Sequence, residues 1–364
     1  MLVLKAHPRH DEEVKTRHVL LALLVALIWG VNFVAIEAGL RDVPPLTFAA
    51  LRFALVAFPL MLFVPRPRVP WWTVVGVGLF MSAGHLGFIY LAMHLGLPSG
   101  LAPLILQSQV LFTVLLAAVF LGERPGRVQL LGIAAGGLGL GIVVLGRGAS
   151  ADLLPLLLGL AGGLSWGLGN VVSRSARGAK PFSLVVWSAA VVPVPLFALS
   201  MVLDGPAAPV RALATMGPVA WASTAFTVLV STLLAFTVWN GLLQRYPAAQ
   251  VAPFTLLVPP VAMLAGWLAF GEIPGLWDLV GGAVLLAGVA VSQSGGALLA
   301  RRGRATGDVV PTAAMAPATT PAVTTTPGAV ASPGPDPVLA SAPAGIAEVP
   351  PRGGNRTPEP AGQG

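Results

Sequence analysis

The residues in this chain that could do chemistry are few, and most sit inside apolar runs. Trp29 and Asn32 lie three apart and Trp166 and Asn170 four apart, so on helices each pair shares one face. An indole and an amide can stack against and hydrogen-bond a polar solute; the alternative is that the asparagines only tie helices together. Arg52 falls about seven residues into its apolar run, roughly 10 Å deep at 1.5 Å per residue. A cation there either attracts a carboxylate solute, pairs with Glu37 in the preceding run, or snorkels to the interface. His85 either titrates near neutral pH or is a hydrogen-bonded packing residue. Gln107 and Gln109 follow Pro103, where a broken helix would turn amides toward a cavity. Trp187 beside Ser188, with Thr227, Ser231 and Asn240, are weaker candidates of the same kind. Glu123 and Glu272 fall at the ends of apolar runs, where interfacial hydrogen bonding or charge pairing is expected. The expected solute pathway is thus Trp29, Asn32, Arg52, His85, Gln107, Gln109, Trp166, Asn170, Trp187 and Asn240, with Glu37 as charge partner.

Enzyme signatures are missing: there is no His-Glu-x-x-His, no Gly-x-Ser-x-Gly, no P-loop and no pair of intramembrane aspartates. The chain has no cysteine, so it holds no disulfide, thiolate nucleophile or cysteine metal site. Neither a metal nor a cofactor is expected.

Those few polar groups must be positioned by helices in lipid. Of 364 residues 55% are hydrophobic and 10% charged, with a mean hydropathy of +0.83, whereas a soluble domain carries about 25% charged residues. Ten apolar runs, each long enough to cross the roughly 30 Å hydrocarbon layer, occupy about 18–37, 45–64, 71–92, 99–121, 128–146, 153–173, 182–203, 217–240, 250–270 and 276–296. Helices satisfy their own backbone where lipid offers no hydrogen bonds, so the expected class is an all-α polytopic membrane protein. The net charge of +7 is scattered over the links with no basic stripe, which argues against a nucleic-acid partner. Alternate links hold 15 Lys and Arg on one side and 3 on the other, which places both termini in the cytoplasm. Residues 1–17 then form a cytoplasmic N-terminus. Residues 297–364, with 12 of the 34 prolines between Pro311 and Gly364, are expected to be a disordered cytoplasmic tail.

The two halves also repeat. Trp29-Gly30-Val31-Asn32 recurs as Trp166-Gly167-Leu168-Gly169-Asn170. Ala102-Pro103 followed by Gly122-Glu123-Arg124-Pro125-Gly126 recurs as Ala252-Pro253 followed by Gly271-Glu272-Ile273-Pro274-Gly275. Each half, 18–146 and 153–296, holds five spans. An odd number inverts the second copy, and inverted repeats are a route to alternating access around a site near the midplane. Glycine rows such as Gly132/Gly136, Gly137/Gly141 and Gly159/Gly163/Gly167 allow close helix contact and leave homo-oligomerisation open.

At Trp29 to Ile36, Pro44 to Phe53, Gly100 to Gln109, Gly122 to Arg124, Ser165 to Asn170, Leu184 to Ser188 and Val251 to Pro259, the chain resembles the EamA family of the drug/metabolite transporter superfamily. Within it the likeness is to the O-acetylserine/cysteine exporter branch. The resemblance implies ten helices in an inverted five-plus-five repeat, and secondary export of a small amino-acid-related metabolite across the bacterial cytoplasmic membrane. Other substrate classes of drug/metabolite transporter, and a membrane enzyme, are the alternatives. Glu37 departs from that branch, standing where a basic residue is expected.

Overall fold

The computed structural model describes residues 15–146, 152–176, 180–246 and 248–305, and every regular element in it is helical. Nine helices among these residues are long and apolar enough to cross a membrane: α1 (Thr16–Leu40), α3 (Trp71–His94), α4 (Ala102–Leu121), α5 (Arg127–Gly146), α6 (Leu154–Ala176), α7 (Phe182–Leu203), α8 (Pro218–Trp239), α9 (Ala252–Phe270) and α10 (Leu276–Ser294). The tenth apolar helix, α2 (Pro45–Met61), has 17 residues, about 26 Å at 1.5 Å each. Leu62 and Phe63 continue its apolar surface, both more than 80% exposed.

α1 begins at Thr16, so the expected N-terminal segment loses its last two residues to the helix. The final helix runs on to Ala305, past the expected boundary at 297. Residues 1–14 and 306–364 lie outside those described.

The packing has a two-fold pattern. α1 lies against α8 and α9, and α6 lies against α3 and α4; α2 meets α7, and α5 meets α10. Shifting every first-half helix by five turns one set of neighbours into the other, as a five-plus-five repeat requires.

Lipid is as apolar as leucine, so helices associate there by close packing rather than by escape from water. The α5–α10 seam shows what this demands of sequence. A Cβ at Gly132 would lie 2.4 Å from the Ser292 amide nitrogen, and one at Gly288 2.3 Å from that of Gly136, so glycine alone permits this approach. Gly132 and Gly136 are therefore used inside the chain, as are Gly159, Gly163 and Gly167 against α4, while Gly137 and Gly141 have open space beside them.

Helix irregularities also recur in pairs. α3 widens into a π-helical stretch at Gly78–Gly84, and its partner α8 does so at Phe226–Leu234. α4 is interrupted at Gln107, and α9 opens with a 3₁₀ stretch at Ala252–Leu257. Both α4 and α9 end in a left-handed glycine, Gly122 at φ 66° and Gly271 at φ 70°, a conformation that carries no Cβ penalty in glycine.

Candidate functional site

Carbonyls within the irregular stretches of one repeat accept from side chains of the other. Ser165 Oγ of α6 donates to the Phe80 carbonyl in the α3 stretch at 2.8 Å; Trp29 Nε1 of α1 donates to the Ser231 carbonyl in the α8 stretch at 3.2 Å. Within α8, Thr232 Oγ1 donates to the carbonyl five residues back, Thr227, at 2.8 Å. A π-turn is a frequent mark of a functional position, and here it fixes Thr232 for a second partner.

That partner is Arg52, 7% exposed. Its Nη2 donates to Thr232 Oγ1 at 3.0 Å and its Nη1 to the Tyr90 hydroxyl at 2.7 Å. Both partners are neutral, and among the described residues no carboxylate forms an ion pair with Arg52. The expected Arg52–Glu37 pair is not formed: Glu37 Oε2 is buried without a partner. Glu37 sits fifteen residues before Arg52 on the far side of the α1–α2 link, where Arg41 stacks its guanidinium on the Phe270 ring, 4.6 Å from the centroid.

Arg52 lines a cavity of about 560 Å³ between the two repeats, within the range of small-molecule sites. Trp29, Asn32, His85, Gln107, Gln109, Trp166 and Asn170 line it too, so eight of the ten expected pathway residues meet at one place. Trp29 packs on Trp239 with centroids 5.3 Å apart, and His85 on Trp166 at 4.7 Å. His85 Nδ1 lies 3.0 Å from the Gly162 carbonyl; a carbonyl only accepts, so Nδ1 carries the proton. Asn170 Nδ2 donates to Thr113 Oγ1 at 2.9 Å. Asn32 Oδ1 and Gln109 Oε1 are buried acceptors without a donor. An unmet buried acceptor costs free energy comparable to a lost hydrogen bond, so these two atoms are suited to a donor brought in by a solute.

Trp187 is not part of this lining. Its Nε1 donates to the Val64 carbonyl at 3.0 Å and its ring meets Trp71, so it pins α7 to the α2–α3 link. Asn240 lies on the helix Ala235–Arg245, and its side chain is outside those described. Tyr90, Thr113 and Thr232 escaped the sequence reading. Tyr90 had a usable signal: counted from the α1–α2 side, it lies near the depth of Arg52 on an antiparallel neighbour, and it is one of two tyrosines.

The cavity is closed at one face and open at the other. Its lining near the α1–α2 link is buried, with Ile36 1% exposed and Pro103 buried, whereas Leu60, Phe182, Thr237 and Gln293 near the opposite ends of their helices are part-exposed or exposed. At the closed face, Glu272 accepts from Ser99 N–H at 3.2 Å, Ser99 Oγ–H at 2.8 Å and Gly100 N–H at 3.2 Å. At the open face, Glu123 accepts from Arg174 Nη1 at 2.5 Å.

Comparison with known proteins agrees with this architecture. The EamA-like transporter family model matches twice, over residues 16–145 and 153–293, one copy on each five-helix half. A protein of Escherichia coli (strain K12) named "Probable amino-acid metabolite efflux pump" is 39% identical over 283 residues, covering 76% of this chain and 94% of its own. A "Probable terminal-alkyne amino-acid exporter" of Streptantibioticus cattleyicolor is 30% identical over 279 residues, covering 73% and 90%. A solved crystal structure superposes with a TM-score of 0.52 at 23% identity, covering 79% of this chain and 99% of that one, which supports the fold. With two copies of one family model filling its two helical halves, this multi-pass membrane protein belongs to the EamA-like transporter family.

Proposed function

We propose that the chain exports a small zwitterionic amino-acid metabolite, of the O-acetylserine or cysteine kind, from the cytoplasm by alternating access. The observation that carries this reading is the buried Arg52, held by two neutral hydroxyls and, among the described residues, paired with no acid. A lone cation in a low-dielectric cavity is costly until an anion joins it, and an α-carboxylate supplies that anion in bidentate geometry. Asn32 Oδ1 and Gln109 Oε1 would accept from the α-ammonium. Trp29, Trp166 and His85 would enclose the substituent, with room for side chains of different shape. The names of the two relatives, both concerned with amino-acid metabolites, support the same substrate class.

The bias of Lys and Arg supports a cytoplasmic location for both termini, in the inner membrane of a bacterium. The Glu123 face is then cytoplasmic, and the cavity opens inward. Counterflow in proteoliposomes tests the assignment. Internal O-acetylserine or cysteine should drive saturable uptake of labelled substrate, and decarboxylated analogues should not compete. Competition by those analogues as strong as by the amino acids would remove the carboxylate from the recognition scheme; no flux across a broad amino-acid panel would remove the substrate class.

A further inference from the structure

Glu123 and Glu272 occupy the same place in their repeats. Each follows a left-handed glycine, and each sends its amide back to a carbonyl six residues earlier, Glu123 to Ala117 at 3.3 Å and Glu272 to Gly266 at 3.4 Å. Their carboxylates nevertheless do different things. Glu272, at the end of α9, caps the turn that leads into α4, binding two backbone amides and the hydroxyl of Ser99, a residue with no exposed surface. Amides at a helix entrance favour an anion, so this contact joins α9 to α4 across the closed face.

The matching contact at the open face would run from Glu123, at the end of α4, to the turn that leads into α9. Aligning Ala102-Pro103 with Ala252-Pro253 makes Ala249 and Gln250 the counterparts of Ser99 and Gly100. Glu123 is instead held by Arg174 of α6, in a pair whose side chains are 35% and 22% exposed.

We propose that the two carboxylates are alternating latches of the transport cycle: Glu272 on Ser99 and Gly100 shuts one mouth, and Glu123, on leaving Arg174, shuts the other by binding the amides of Ala249 and Gln250. Arg174 is then the residue that holds Glu123 back while the cavity opens to its face. Symmetry of the scaffold gives both mouths the same device, and the cycle is the exchange of one closed latch for the other. Arg41 does not compete for Glu272, because its guanidinium is stacked on Phe270. Glu37 on α1 keeps one oxygen buried and unpartnered, and the donors to Glu272 among the described residues are Ser99 and Gly100.

The proposal rests on the alternating-access reading above but not on its substrate, so its test uses accessibility rather than flux. The chain has no cysteine, which makes single reporters clean. Ile36→Cys lies in the cavity lining toward the Glu272 face and Val185→Cys toward the Glu123 face. Each full-length reporter is labelled in sealed vesicles of both orientations with a membrane-impermeant maleimide. Glu272→Ala and Arg174→Ala should each raise the ratio of Ile36→Cys to Val185→Cys labelling on the order of tenfold, the effect of losing one charged hydrogen-bond set from a two-state balance. Glu123→Ala should lower it by a similar factor. Opposite movement by two equivalent acids is what a purely structural role cannot produce. Ratios unchanged in all three variants, or both reporters rising together, would overturn the latch. Should Glu272→Ala fail to insert, the opposed shifts in Arg174→Ala and Glu123→Ala decide by themselves. Loss of O-acetylserine flux with the labelling pattern intact would discard the substrate and keep the gate.

Discussion

Arg52 in α2 and Ser188 in α7 stand at the same register of the two repeats, seven residues after Pro45 and Pro181. One is a buried cation on the cavity; the other turns its hydroxyl back to the Val185 carbonyl at 3.0 Å. The two asparagines diverge likewise: Asn170 is occupied by Thr113, whereas Asn32 keeps a buried acceptor unmet. Against this, the scaffold matches closely, in the neighbours of each helix, the π-helical stretches of α3 and α8 and the left-handed glycines ending α4 and α9. Backbone symmetry is what two interconvertible arrangements need, and on the proposed reading side-chain asymmetry is what lets the cavity tell the two ends of a zwitterion apart.

That contrast can be broken most directly at Arg52. Replacing it by serine makes the first repeat resemble the second. It should cost about 2–5 kcal/mol of carboxylate binding, lowering kcat/KM for export at least thirtyfold while membrane insertion persists; Arg52→Lys should recover part of the loss, since it restores charge without the planar fork. Flux in both variants within twofold of the parent would end the carboxylate role. The asparagines sharpen the contrast. Asn32→Ala removes a free acceptor for a cationic donor and should weaken substrate binding about tenfold, whereas Asn170→Ala, whose amide is already spent on Thr113, should change it by less than about threefold. Equal effects in a binding titration would mean the two sites are used alike.

Packing provides the next comparison. Gly132→Leu must push α5 from α10, an overpacking cost of about 1–3 kcal/mol, and should lower the thermal unfolding midpoint in detergent by several degrees. Gly141→Leu, with open space beside it, should leave the midpoint unchanged. A smaller loss than at Gly132 is expected at Trp187→Phe, which gives up one hydrogen bond to Val64. Stability should fall by about 0.5–1.5 kcal/mol with transport intact; a transport defect without a stability change would return Trp187 to the pathway.

Much of the fold was legible because lipid imposes blunt rules: length and apolarity mark a span, and a five-span repeat inverts its copy. The candidate site was legible in part because intramembrane polar residues are costly, so Trp29, Asn32, Arg52, His85 and Asn170 stood out against their surroundings. Trp187 stood out on the same ground yet lies outside the cavity lining, since an indole N–H needs an acceptor wherever it lies, and an interfacial carbonyl serves as well as a solute.

Sequence alone determined the number of crossings, the duplication and the small set of polar groups buried in lipid, since each follows from local composition and order. Which of those groups touch was settled in three dimensions. Arg52 took hydroxyls from α3 and α8 rather than Glu37, the acid nearer to it in sequence, and equivalent glutamates took an amide cap at one face and an arginine at the other. Such choices depend on distances between helices far apart in the chain and on which mouth is closed, and neither is encoded in the spacing of residues along one helix.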